Sequence, residues 1–320
     1  MKLVVQIPAY NEEQTIAQTI REIPRQIPGI DSVEVIVIDD GSTDKTAEMA
    51  KLAGADQIIQ TKTRTGLANA FRLGIETALK RGADLIVQTD ADNQYPGSEI
   101  PRLIEPILNS KAEIVIGERR LKEIPDYPVF KLMLQRLGSW LVGVLADEKI
   151  TDAVSGFRAF SRESALKLNV LSDFSYTIET LIEAGRNQIP IAWVAVSVNV
   201  QPGRKSRLYQ TLWQYLTRSV EAMVRTFSRY EPLKIFLTIG SIVFSGGLGI
   251  GIWFLYYFFT AGGKGHIQIL ILSAVLLIIG FQIMLIALVA DLIAGNRKML
   301  EEALYRIRKL ESREKDSGQR

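Results

Sequence analysis

The chain has 320 residues, 47% of them hydrophobic and 23% charged, with a formal net charge of +3. That mixture excludes a disordered or collagen-like polymer, and so small a charge gives no basis for nucleic-acid binding. With no Cys there are no disulfides, thiolate sites or Cys nucleophile, and a single His, His266, argues against a His-based triad or a poly-His zinc site, so a metal would be held by oxygen.

Residues 3–7 are apolar or nearly so and end at Pro8, the length of a strand and not of a signal-peptide core; the N-terminal part is expected to stay in the cytoplasm. As far as residue 120, strand patterns at 3–7, 33–38, 57–60, 84–89 and 113–116 alternate with helix patterns at 12–20, 44–53, 66–80 and 98–108. Two of the helices open at plausible caps, Ser42/Thr43 and Ser98. Short β-branched runs between helices predict βαβ units, an α/β fold with a mainly parallel sheet. Residues 128–146 are apolar with Lys131 and Arg136 interspersed, either an interfacial helix or an amphipathic core helix. Residues 208–230 have a helical pattern carrying Arg218, Arg225 and Arg229, and lie either on an anionic leaflet or against their own domain.

Residues 235–259 are 25 residues without a charge, and 267–290 are 24 more. Each is long enough as a helix to cross a hydrocarbon core of about 30 Å. Residues 201–234 hold seven Lys/Arg against two Glu, and 295–320 hold eight against five acids. By the positive-inside rule both flanks are cytoplasmic. The expected organisation is a catalytic domain at 1–204, an interfacial region at 205–234, a transmembrane hairpin at 235–294 and a charged cytoplasmic helix or tail at 295–320.

In parallel sheets ligands bind at the carboxyl ends of the strands, and the acidic motifs fall there. The first predicted strand runs into PAYNEE (residues 8–13), the second into DDGSTD (39–44) and the fourth into TDADNQ (89–94). Carboxylates brought together repel unless a cation or hydrogen-bond donors compensate them. Asp44 reads most simply as a turn or helix cap. Asp90 and Asp92, followed by the oxygen of Gln94, suit a hard divalent cation that keeps positions open for diphosphate oxygens. Neither GxxxxGK[ST] nor GxGxxG occurs, which argues against P-loop NTPases and Rossmann dehydrogenases. The turn RTGLA (64–68) either offers N–H groups to a phosphate or is a plain helix start.

PAYNEE, DDGSTD, QTDADNQYP and DAVSGFRAFSRE, in that order across residues 3–200, make the chain resemble a family 2 glycosyltransferase of the GT-A fold. With the apolar hairpin added, it resembles the polyprenyl-phosphate glycosyltransferases, among them dolichyl-phosphate mannose synthases and undecaprenyl-phosphate glucosyltransferases. The resemblance implies inverting transfer of one sugar from a UDP- or GDP-linked donor to polyprenyl phosphate at the cytoplasmic membrane face, by a homo-oligomer. It implies that Pro8, Tyr10 and Glu12 contact the nucleotide and that Val37 and Asp39 line the base and ribose pocket. Asp90, Asp92 and Gln94, with Ala91 between them, match the positions that hold Mg²⁺ or Mn²⁺ on the diphosphate. Arg119 matches an Arg that reaches the phosphates, and Arg204 and Arg207 in GRKSRL match a basic closing loop. The chain departs from many relatives at residues 64–67, where an NxGKG-like sequence is usual, and at Arg207, where Lys is more usual.

The chemistry agrees with this inventory. A phosphate acceptor, with a second pKa of ~6, is already an anionic nucleophile and requires no strong general base. Asp152 then serves acceptor orientation or residual proton removal, or is a structural Asp holding Arg158. Arg119, Lys131, Arg136 and Arg158 are the candidates for the acceptor phosphate. Two other readings are a processive polysaccharide synthase, whose QxxRW motif is missing, and a non-catalytic membrane scaffold, which has no need of Asp90, Asp92 and Gln94.

Overall fold

The computed structural model describes residues 1–119, 129–170, 176–199, 232–261 and 266–318. They fall into two compact units, Met1–Leu212 with Leu304–Arg320, and Trp213–Ala303.

The first unit runs β1 (Lys2–Ala9), α1 (Ile16–Arg21), β2 (Ser32–Asp39), α2 (Thr46–Leu52), β3 (Gln57–Gln60), α3 (Leu67–Lys80), β4 (Leu85–Gln88), α4 (Ile100–Leu108), β5 (Ile114–Arg119), α5 (Val129–Ala146), β6 (Arg158–Ser161), α6 (Arg162–Lys167), α7 (Tyr176–Arg186) and β7 (Ile191–Val196). The seven-stranded sheet has the order β3-β2-β1-β4-β6-β5-β7. All pairings are parallel except those of β6, which runs antiparallel between β4 and β5. β1 and β2 are near-continuous apolar runs because helices cover both faces of a parallel sheet. One core lies between the sheet and α1 and α4, from Ile16, Ile20, Leu103 and Ile104 to Val5, Val35 and Val87. On the α3 side Phe71 stacks on Tyr176 at 4.2 Å.

The five expected strands and four expected helices are all present, with shifted ends. The first helix begins at Ile16 and not at residue 12, because Asn11 takes a left-handed φ of 54°. The second begins at Thr46, whose backbone N–H donates to Asp44 at 3.0 Å, so Asp44 and not Ser42 or Thr43 ends the loop. Ser98 sits inside a single 3₁₀ turn, Gly97–Glu99.

The second unit is built on two helices, α8 (Pro232–Ala261) and α9 (Ile267–Gly318). Both are long and apolar enough to cross a membrane, and only 11% of each apolar window is buried inside the protein. They pack through small residues. A side chain at Gly247 would stand 2.9 Å from Leu276, and Ser273 Oγ donates to the Gly247 carbonyl at 2.8 Å. Close approach of this kind is how apolar helices associate without a hydrophobic driving force. The charged helix or tail expected at 295–320 is, as far as Gly318, the end of α9. From Leu304 onward that end belongs to the first unit, where Tyr305 donates to Glu163, Lys309 pairs with Glu163 at 3.2 Å and Arg308 donates to Leu168 O at 2.9 Å.

Candidate active site

Parallel register brings the ends of β1, β2 and β4 together. Ala9 lies opposite Asp39, and Gln6 opposite Gln88. The loops that follow are laced across the strands. Asn11 N donates to Ser42 Oγ at 2.9 Å, Glu12 N to Thr46 Oγ1 at 2.8 Å, and Thr43 N to Asn11 Oδ1 at 2.8 Å.

The two carboxylates ending β2 are both engaged. Asp40 accepts from Thr65 N, Thr65 Oγ1 and Gly66 N at 2.7–2.8 Å, and so fixes the 61–66 loop. This bond set gives the RTGLA turn its role, with Thr65 and Gly66 held by Asp40 ahead of α3. Asp39 accepts from Ser42 N at 3.0 Å and Gln60 Nε2 at 3.1 Å. The Arg64 guanidinium lies over the Tyr10 ring at 4.2 Å. Glu12 accepts from Thr15 Oγ1 at 3.0 Å. Pro8 is buried at the end of β1. Val37, expected to line a pocket, is wholly buried among core residues instead, since strand alternation puts it on the same face as Val35.

The acidic loop after β4 is the second part. Asp92 Oδ1 accepts from Gln94 N at 3.0 Å. No hydrogen-bond donor reaches Asp90 among the described residues. Burial pushes the Asp90 carboxyl up to about 7, Asp92 adds to that, and the charges of Arg119 and Arg158 act against it. A Cβ at Gly156 would stand 2.7 Å from Asp90 Oδ2, so a side chain there would push this carboxylate out of its place. Among the described residues no three Asp, Glu or His gather into one cluster. A cation here would take two carboxylates and neutral oxygens, and that donor set fits a hard ion shared with diphosphate oxygens.

The third part is basic. Arg119 and Asp152 form a bidentate pair, Nε–Oδ2 at 2.8 Å and Nη2–Oδ1 at 2.9 Å. Asp152 therefore holds Arg119, not Arg158. Arg158 itself corrects the expectation that it binds the acceptor. It has no exposed surface, and burial lowers its pKa to about 10. It donates to Ser155 O at 2.8 Å, Thr177 O at 2.8 Å, Thr180 Oγ1 at 2.6 Å and Ala153 O at 3.1 Å, which shapes the 152–158 loop from within.

Tyr95, at the end of the acidic motif QTDADNQYP and without a local signal of its role, stacks on Phe157 at 5.1 Å and ties the two loops together. Its hydroxyl lies 3.4 Å from Ser155 Oγ, which donates to Gly117 O at 2.6 Å. On α5, Arg136 is exposed beside exposed Met133, Trp140 and Val144, at helical spacings of three or four, while Ser139, Val142 and Ala146 are buried. The helix thus has one core face and one apolar face in contact with solvent. The side chain of Lys131, and Arg204 and Arg207 as a whole, lie outside the described residues.

An α/β domain with a mainly parallel sheet, an acidic loop at the carboxyl end of a central strand and arginines opposite it defines a transferase of the GT-A type. Residues 4–168, just over half of the chain, match glycosyl transferase family 2. The chain belongs to that family and is a glycosyltransferase. It is similar to the dolichol-phosphate mannosyltransferase of Pyrococcus furiosus, with 29% identity over 84% of this chain and 76% of that one. It is also similar to the UDP-N-acetylglucosamine–dolichyl-phosphate N-acetylglucosaminyltransferase of Methanococcus voltae, with 32% identity over 59% of this chain and 82% of that one. Among solved structures, the fold is shared with glucosyl-3-phosphoglycerate synthase of Mycobacterium tuberculosis in complex with Mn²⁺, UDP-glucose and glycerol 3-phosphate. There the TM-score is 0.55 at 24% identity, over 71% of this chain and 79% of that one.

Proposed function

We propose that the protein transfers one sugar from a UDP- or GDP-linked donor to polyprenyl phosphate, with inversion, at a site that uses Mg²⁺ or Mn²⁺. The observation that carries this is the half-buried Asp90 carboxylate, which no hydrogen-bond donor reaches among the described residues, beside Asp92 after β4 of a glycosyltransferase. The lipid acceptor is supported by the similarity to transferases named for dolichol phosphate and by the exposed apolar face of α5.

Asp90 and Asp92 hold the cation, with Gln94 as a neutral oxygen; the side chain of Ala91 between them is buried in the core, which corrects the expectation that it contacts the donor. When bound, the cation neutralises the charge that builds on the departing diphosphate. Pro8, Tyr10, Glu12 and Asp39 receive the nucleoside. Arg119, aligned by Asp152, points its charge at the phosphates, and Arg204 and Arg207 close over them. Both Asp152 oxygens are spent on Arg119, so Asp152 acts by orientation. The acceptor phosphate attacks the anomeric carbon directly, without a general base. Arg136 and Lys131 bind it at the membrane surface, while α8 and α9 anchor the protein with both flanks in the cytoplasm. The working unit is a homo-oligomer.

A donor panel tests the reading. Membranes holding the protein are supplied with polyprenyl phosphate and UDP- and GDP-sugars, and sugar in the lipid fraction is scored. No transfer from any donor would refute the proposal. For orientation, a C-terminal tag is expected to resist protease added from outside the cell, and cleavage of the tag there would reverse the topology.

Arg136→Ala addresses the acceptor. It is expected to raise the KM for polyprenyl phosphate with little change in nucleotide-sugar affinity. One charge-assisted hydrogen bond is worth about 1.5–3 kcal/mol, so kcat/KM should fall roughly 10- to 150-fold. Equal weakening of donor and acceptor, or no effect on either, would make α5 structural.

A further inference from the structure

The loop that carries Asp90 and Asp92 is gripped from outside by residues that belong to no motif. From α1, Thr19 Oγ1 donates to Ala91 O at 3.1 Å. Next to it, Asn93 Nδ2 donates to Glu22 Oε1 at 3.1 Å. From the segment after β7, Asn199 Nδ2 donates to Asn93 O at 3.0 Å and Asn199 N to Gln94 O at 2.8 Å. Asn93 is 4% exposed and has a φ of 56°, the left-handed region where Asn is among the few side chains tolerated. At the far end of the loop, a side chain on Gly97 would stand 2.3 Å from the Glu22 carbonyl oxygen, so the loop lies directly on the main chain that ends α1.

The loop is therefore fixed at Ala91, Asn93, Gln94 and Gly97. The two carboxylates project from between or beside fixed points. A site of only two carboxylates has little enthalpy to spare for ordering its own loop. Each residue left free would cost on the order of 1 kcal/mol to immobilise at the moment of binding. Ordering the loop beforehand removes that cost.

We infer that Glu22 and Asn199 are positioning residues of the cation site: through Asn93 and Gln94 they hold the Asp90/Asp92 loop in its binding shape. This rests on the metal reading proposed above. All three bonds, one from Glu22 and two from Asn199, end on Asn93 and Gln94 and none on Asp90 or Asp92.

The test is Mn²⁺ binding to the detergent-solubilised full chain, followed by the loss of the free-ion EPR signal, with Mn²⁺ alone and with UDP or GDP added. Glu22→Ala and Asn199→Ala are each expected to weaken Mn²⁺ binding about 2- to 10-fold, the range for one net hydrogen bond. Glu22→Gln keeps an acceptor oxygen for Asn93 and should bind Mn²⁺ within about 2-fold of the parent. In turnover assays the Mn²⁺ concentration for half-maximal rate should rise with the dissociation constant, while the KM for polyprenyl phosphate stays put. Unchanged Mn²⁺ binding in both alanine variants would overturn the inference. So would a loss in Glu22→Gln as large as in Glu22→Ala, because the effect would then be the Glu22 charge and not its bond. Failure of the parent protein to bind Mn²⁺ in all three arms would instead overturn the metal reading, and the inference with it.

Discussion

Asp92→Ala is expected to cut sugar transfer to about a hundredth or less of the parent rate while leaving the protein folded and membrane-bound. Asp92 is only half-buried and stands in a loop whose shape is kept by bonds at Ala91, Asn93 and Gln94, so its removal should not collapse the fold. What is lost is one of two carboxylates for the cation, and with it the neutralisation of the leaving diphosphate. Removing a charge stabiliser of this kind costs about 3–4 kcal/mol of barrier, a rate loss of roughly 100- to 1000-fold. EDTA should reproduce the loss in the parent enzyme, and added Mg²⁺ or Mn²⁺ should reverse the chelation but not the mutation. Full activity in metal-free buffer would end the metal assignment.

Arg158→Ala is expected to destabilise the catalytic domain and not to act on the acceptor. The buried guanidinium serves three carbonyls and the Thr180 hydroxyl, and its loss strands those acceptors around a cavity the size of an arginine. Changes that break such a buried network cost about 3–5 kcal/mol, which for a domain of this size lowers the unfolding temperature by roughly 6–20 °C. Thermal unfolding followed by circular dichroism checks it. An unchanged transition together with a selective rise in the KM for polyprenyl phosphate would restore Arg158 to the acceptor site. The contrast with Arg136→Ala is the informative part, because that exposed residue should alter the KM and leave the transition where it is.

Much of this protein is legible in its sequence because local patterns carry it. Short runs of β-branched and other apolar residues mark β1 to β5, helical periodicity marks α1 to α4, and two uncharged runs mark the spans of α8 and α9. The acidic motifs could be placed at strand ends because a parallel sheet puts its loops at the carboxyl edge. β6 is different: it is as long as β3 and β4, but its residues, RAFS, include no β-branched one to announce a strand, and it is set antiparallel between β4 and β5. β7 lies beyond the stretch in which the alternation is clear.

Side-chain pairing had to wait for the tertiary structure. DAVSGFR holds one arginine, Arg158, which by its nearness in sequence is the natural partner for Asp152. The structure pairs Asp152 with Arg119, 33 residues away on β5, because the antiparallel β6 turns Arg158 inward against α7. Glu22, Asn93 and Asn199 are ordinary polar residues in sequence, separated by 71 and 106 positions, and meet only where α1 and the end of β7 reach the same loop. The sequence by itself determined the βαβ frame, the acidic strand ends and the two apolar spans, since each is a short-range pattern of period, charge or length. Which carboxylate meets no hydrogen-bond donor among the described residues, which arginine is buried and what grips the acidic loop were decided by contacts between distant segments, which leave no period in the chain.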